Sequence, residues 1–183
     1  FDILRTGGSG QLLSLCPDRS DAEPVDGTSI ISIFDGGFSL SGNSGINDSG
    51  SGTNGVVAWC WKAGGAAVSN SDGSITSSVS ANTEAGFSII TYTGTGADGT
   101  IGHGLGKTPS WVITKKRSGT QNWLVKHSGA GSGKVGYLDL TDAFDTTGSG
   151  GGIISDFSSS STYTVTRNNS GSDNYHNVNA SGH

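Results

Sequence analysis

The stretch SIISIFDGGFSL, residues 29–40, holds two strand-like runs rich in β-branched and aromatic residues, parted by Asp35-Gly36. It recurs as GIISDFSSSSTYTV at residues 152–165. Ile30-Ile31-Ser32 matches Ile153-Ile154-Ser155, Phe34 matches Phe157, and Phe38-Ser39-Leu40 matches Tyr163-Thr164-Val165 after a short insertion. Upstream, Leu12-Leu13-Ser14-Leu15 matches Tyr137-Leu138-Asp139-Leu140, and Phe1-Asp2-Ile3-Leu4 matches Trp123-Leu124-Val125-Lys126 less firmly. Downstream, NSGINDSGSGTNG (43–55) has a counterpart in NNSGSDNYHNVNASG (168–182). The chain reads as a tandem repeat with a lag of roughly 120 to 125 residues.

The spacing of apolar bursts sets the fold class. Of 183 residues, 32% are apolar, 14% are charged and 32 are glycine, with no methionine. The glycines keep no G-X-Y register, which excludes collagen. Leu and Ala are too sparse for helices of any length, and Gly/Ser/Asn/Asp clusters separate the apolar runs. Alternation and β-branched or aromatic enrichment predict strands at 2–5, 11–16, 29–34, 37–41, 56–62, 74–81, 86–92, 110–116, 123–127, 135–140, 152–157 and 163–167. The expected fold is all-β: antiparallel, jelly-roll-like β-sandwich modules in tandem, with turns and loops making up the rest.

One run stands out from this polar background. GVVAWCWKAGG (55–65) would place Trp59 and Trp61 on one strand face and Ala58 and Cys60 on the other. So polar a domain has few large side chains for a core, so core packing is the expected role. A stacking platform for a sugar ring and an inter-subunit contact are the alternatives. The repeat divides the chain into residues 1–62, the second half of one unit ending in the Trp-Cys-Trp strand, and 63–183, a nearly complete unit lacking its last strand. On this reading another chain, or sequence beyond His183, supplies that strand and satisfies an open sheet edge. Cys16 and Cys60 are expected to be buried free thiols rather than a disulfide.

Charge narrows the partners. A formal net charge of −5 argues against nucleic acid, which demands a basic stripe. The basic cluster Lys115-Lys116-Arg117 reads as a solvated turn, with an anion site as the alternative. No run of eighteen apolar residues offers a membrane-spanning helix.

The segments VAWCWKAGG (57–65), NSDGSITSSVSANTEAGFSIITYTGTG (70–96), IGHGLGKTPSWVITKKR (101–117) and NWLVKH (122–127) resemble a family of repeated domains in virion proteins of tailed phages, especially marine ones. The resemblance covers most of residues 56–140 and reaches the rest through the internal repeat. It implies a β-sandwich structural module of a tail fibre or similar virion appendage, and it implies no catalytic residues.

Candidate chemistry is sparse. GHGLGKT (102–108) imitates a phosphate-binding loop, but Ile101 stands where glycine is required. Pro109 and a strand-like run follow where the phosphate-binding helix should start. A turn-rich entry into a strand, with glycines at positive φ, is expected there, with His103 exposed. Trp111 and Trp123, the latter beside Asn122, are the candidate glycan contacts. The acidic turns Asn70-Ser71-Asp72-Gly73, Asn47-Asp48 and 139–145 have oxygen ligands for Ca²⁺ but miss the calcium-loop spacing, so Asx turns are expected and no cofactor is implied. Neither zinc spacing nor a nucleophile motif is present, and the chain is not expected to be an enzyme.

Composition and repeat pattern suit an extended structural module, and the resemblance implies that it is a virion protein: a tail-fibre, appendage or capsid-decoration component outside the cell, partnered by copies of itself or other virion proteins. A carbohydrate-binding adhesin module that contacts host-surface glycan, and a subunit of a bacterial extracellular filament, are the alternatives.

Overall fold

A computed structural model describes residues 12–13, 15–23, 25–26, 30–34, 36–40, 57–146, 154, 157 and 159–166. The predicted strand at 2–5, most of that at 152–157, and the matching segments 43–55 and 168–182 lie outside the described residues. Within them the protein is all-β, with thirteen strands, a single 3-10 turn at Ser128–Ala130 and no α-helix. Backbone proximity divides the chain into two units: Phe1–Leu15 with Glu23–Cys60, and Cys16–Ala22 with Trp61–His183.

The described strands of the first unit form two antiparallel pairs. β1 (Leu12–Leu13) pairs with β2 (Val25–Asp26), and β3 (Ile30–Phe34) pairs with β4 (Gly37–Leu40). The two-residue Asp-Gly connection of the second hairpin suits a turn that needs positive φ, and Gly36 has φ 86°. Phe34 lies opposite Gly37, where an added Cβ would come within 3.0 Å of the Phe34 ring. Ser32 and Ser39 are bonded through their hydroxyls at 2.7 Å across the ladder. The alternation visible in residues 29–41 is thus a real hairpin.

The buried cluster found among the described residues lies in the second unit. β5 (Val68–Asn70), β6 (Ser77–Asn82) and β7 (Phe87–Tyr92) form an antiparallel meander. β8 (Gly99–Gly102) pairs antiparallel with β13 (Thr162–Val165). Between them in sequence, β9 (Trp111–Thr114), β10 (Leu124–His127), β11 (Lys134–Tyr137) and β12 (Asp145–Thr146) make one antiparallel sheet in chain order. Single bridges join Ile75 to Ile101 and Ile154 to Val165.

Ile75, Ile101, Leu124, Val135, Ile154, Tyr163 and Val165 form the buried cluster, with Ile90, Tyr92, Val112, Tyr137 and Phe157 packed against it. Register explains which face of the β9–β12 sheet supplies it. Leu124 stands opposite Thr114 and Tyr137, and Lys126 opposite Val112, so these side chains share one face. Lys126 is 1% exposed on that inner face, opposite Val112, and its Nζ donates to the Lys134 carbonyl at 3.1 Å. The opposite face carries Trp111, Ile113 and Val125.

The expected strand at 56–62 is absent: residues 57–64 take no strand conformation. Conversely, β2, β5, β8 and β12 were not legible as strands. β8 shows why. Its glycines permit close approach, since a Cβ at Gly99 would come within 2.7 Å of Ile75 Cδ1 and one at Gly102 would collide with the Asn70 carboxamide.

Candidate functional site

The three candidate glycan residues lie around the β9–β10 pair but not together. Trp111 opens β9 opposite His127, at the far end of β10 from Trp123. Four residue steps separate Trp123 from His127, a span of about 13 Å at the usual strand rise. Trp111 is 53% exposed and presents its ring on the outer face. Asn122 is buried. Trp123 is half-buried, and its indole N–H is committed: Nε1 donates to the carbonyls of Cys16 at 2.9 Å and Arg19 at 3.1 Å. Its backbone N–H donates to Asp139 Oδ1 at 3.0 Å. Trp123 is therefore a clasp for the segment Cys16–Ala22, and Trp111 alone of the three offers an open aromatic face.

Lys115 works beside this clasp. Its ammonium donates to the carbonyls of Lys116 at 2.8 Å and Ser20 at 3.2 Å, while the Gln121 amide donates to Ser20 O at 2.8 Å. Burial pulls the Lys115 pKa down, partly opposed by Asp139 and Asp21. The expectation of a simple solvated turn fails for Lys115, whose charge is spent on backbone oxygens.

The Trp-Cys-Trp run overturns the expectation of a core strand. Trp59 is 80% exposed and Trp61 61%, and Val57 and Cys60 are exposed as well. Both cysteines are free, and Cys16 is half-buried. Only the tail of the run is held. The Trp61 ring stacks on Phe87, centroids 6.1 Å apart and planes 21° from parallel. Asn82 Nδ2 donates to the Lys62 carbonyl at 3.2 Å, and Ser80 Oγ donates to the Gly65 carbonyl at 2.7 Å. Gly64 lies so close to the backbone of Ala81 that a Cβ there would collide with the Ala81 carbonyl oxygen. The glycines after Trp61 let the chain lie flat against β6.

The acidic turn at 70–73 is an Asx turn. The Asp72 amide donates to Asn70 Oδ1 at 3.0 Å, and Asn70 Nδ2 donates to the Asp72 carboxylate at 3.1 Å. The next residues form a reciprocal clasp, with the Ser74 and Thr100 amides each donating to the other's hydroxyl at 2.9 Å. Asn47-Asp48 lies outside the described residues, among which no cluster of three His, Cys, Asp or Glu is placed to hold a metal.

His103 corrects a further expectation. It is buried rather than exposed, at 1%. Gly104 and Gly106 both have φ 69°, as a glycine-rich turn requires, and the turn folds the ring inward rather than out. The Leu105 amide donates to Nδ1 at 3.2 Å, which places the ring proton of the neutral form on Nε2. Burial lowers the pKa of His103, against smaller opposing effects of the Ser159 carbonyl and Asp72.

The fold and its polar clasps define a class: an all-β protein of small antiparallel sheets whose hydroxyl, amide and ammonium groups tie its own loops to strands. The chain belongs to the family described as "Domain of unknown function (DUF7483)", which it matches over residues 1–180. No curated protein and no solved structure matches it.

Proposed function

We propose that the protein is a structural component of a tailed-phage virion, a tail-fibre, appendage or capsid-decoration protein that assembles with copies of itself or with other virion proteins. The observation that carries this reading is the exposed run at 57–61. A chain with four tryptophans and few large apolar residues leaves Trp59 and Trp61 largely in solvent. Exposed apolar surface of that kind marks an interaction site. The polar side chains support the same reading, because Ser80, Asn82, Lys115 and Trp123 all donate to carbonyls of their own chain. The resemblance of residues 56–140 to phage virion domains supplies the context.

A glycan-binding adhesin module is the second reading, favoured by Trp111, whose open ring could stack on a sugar. Immunogold labelling of purified phage particles with antibody against this chain tests the first reading. Regular labelling of an appendage or capsid is expected, and particles free of label would refute it. A glycan array separates the second reading, which requires binding that is lost in Trp111→Ala.

A further inference from the structure

The internal repeat sets two strands of the molecule in correspondence, and their surroundings differ. Phe38-Ser39-Leu40 of β4 matches Tyr163-Thr164-Val165 of β13. Both inner edges are occupied, though one residue apart in register: Leu40 pairs with Ile30, whereas Val165 bridges Ile154, the counterpart of Ile31, at the place where the β3–β4 ladder shifts register. On its outer edge β13 carries β8, with Tyr163 opposite Ile101 and Val165 opposite Gly99. Among the described residues, β4 has no strand on its outer edge. Burial differs as well, because Tyr163 and Val165 belong to the core cluster with Ile75, Ile101, Leu124, Val135 and Ile154. Tyr163 is 5% exposed and Val165 fully buried, whereas Phe38 is 37% exposed and Leu40 only half-buried.

We infer that the outer edge of β4 is a docking edge for a strand of the β8 type, Gly-Thr-Ile-Gly, from another unit of the same family. Such a strand would add antiparallel to β4, with its Ile opposite Phe38 and its first Gly opposite Leu40, as Ile101 and Gly99 stand in the second unit. It would satisfy the outer ladder groups that β4 leaves unpaired among the described residues and set an apolar side chain beside Phe38. The glycines suit the role, since in β8 they admit close neighbours that a Cβ would exclude. The partner is thus a neighbouring repeat, which joins by strand addition. This inference does not depend on where the protein is used, and it stands or falls apart from the virion reading.

The test uses the full chain, 15N-labelled, and a synthetic peptide with the sequence of residues 97–106, ADGTIGHGLG. At millimolar peptide, amide shifts and slowed hydrogen exchange are expected at Gly37–Leu40. A peptide carrying Ile101→Asp should bind at least tenfold more weakly, and Phe38→Ser in the chain should abolish the response. An unperturbed Gly37–Leu40 would overturn the inference, as would an equal response to the Asp peptide. Perturbation confined to Thr162–Val165, meaning that the peptide displaces β8 instead of adding to β4, would overturn it as well.

Discussion

Replacing Trp123 by Phe separates a structural clasp from a sugar platform. The substitution keeps an aromatic ring and removes the one group that donates to both Cys16 O and Arg19 O, at 2.9 and 3.1 Å. A net intramolecular hydrogen bond contributes about 0.5–1.5 kcal/mol, and a shared donor counts for less than two full bonds. The two half-released carbonyls and the smaller ring bring the expected loss to about 2 kcal/mol. For a protein of this size that is a fall in melting temperature of about 4–8 °C. In urea, a typical slope of about 2 kcal/mol/M makes it a midpoint shift of about 1 M. Trp111→Ala, on an exposed ring, should change stability by only about 0.5 kcal/mol. Both variants are followed by urea titration, and amide exchange in residues 16–22 reports where stability is lost. Faster exchange there is expected for Trp123→Phe. Loss of less than about 0.5 kcal/mol with unchanged exchange would refute the assignment of Trp123 as a clasp.

Ile101→Ala should cost about 2–5 kcal/mol, because the fully buried Ile101 joins Ile75, Tyr163 and Val165 in one cluster; a thermal melt with little change would contradict that packing. His103 has a folded pKa below its usual 6.5, so its contribution to stability is fully present above about pH 6.5 and is lost as pH falls toward the lowered value. Melts between neutral and mildly acidic pH should show that loss in the native protein and not in His103→Asn, which keeps an acceptor for the Leu105 amide; parallel pH profiles would count against it. Gly64→Ala places a methyl against the Ala81 carbonyl and should lift residues 61–65 off β6, at a cost above about 2 kcal/mol. Denaturant titration measures that cost, and an unaffected variant would show that the close approach is not real.

The parts of the fold that could be read from the sequence are those where neighbours in sequence are neighbours in space. The β3–β4 hairpin, β7 and β10 follow from alternation and turn residues and lie almost where 29–41, 86–92 and 123–127 were expected. β8 escaped because Gly99 and Gly102 read as turn residues, although here they admit Ile75 and Asn70. The run at 57–61 was misread for a different reason. Hydrophobicity reports a tendency toward burial, and in this chain Trp59 stays exposed. Trp123 could not be assigned from local pattern, since the carbonyls that hold its indole lie more than a hundred residues earlier in the chain. The same holds for His103, whose flanking glycines suggested an exposed turn but allow a tight inward one.

The central claim is that this chain works by joining other units, and native mass spectrometry of the intact protein tests it most directly. Assemblies at multiples of the chain mass, weakened by Trp59→Ser and Trp61→Ser together, are the predicted result. A single-chain species at every concentration, unchanged by those substitutions, would contradict the claim.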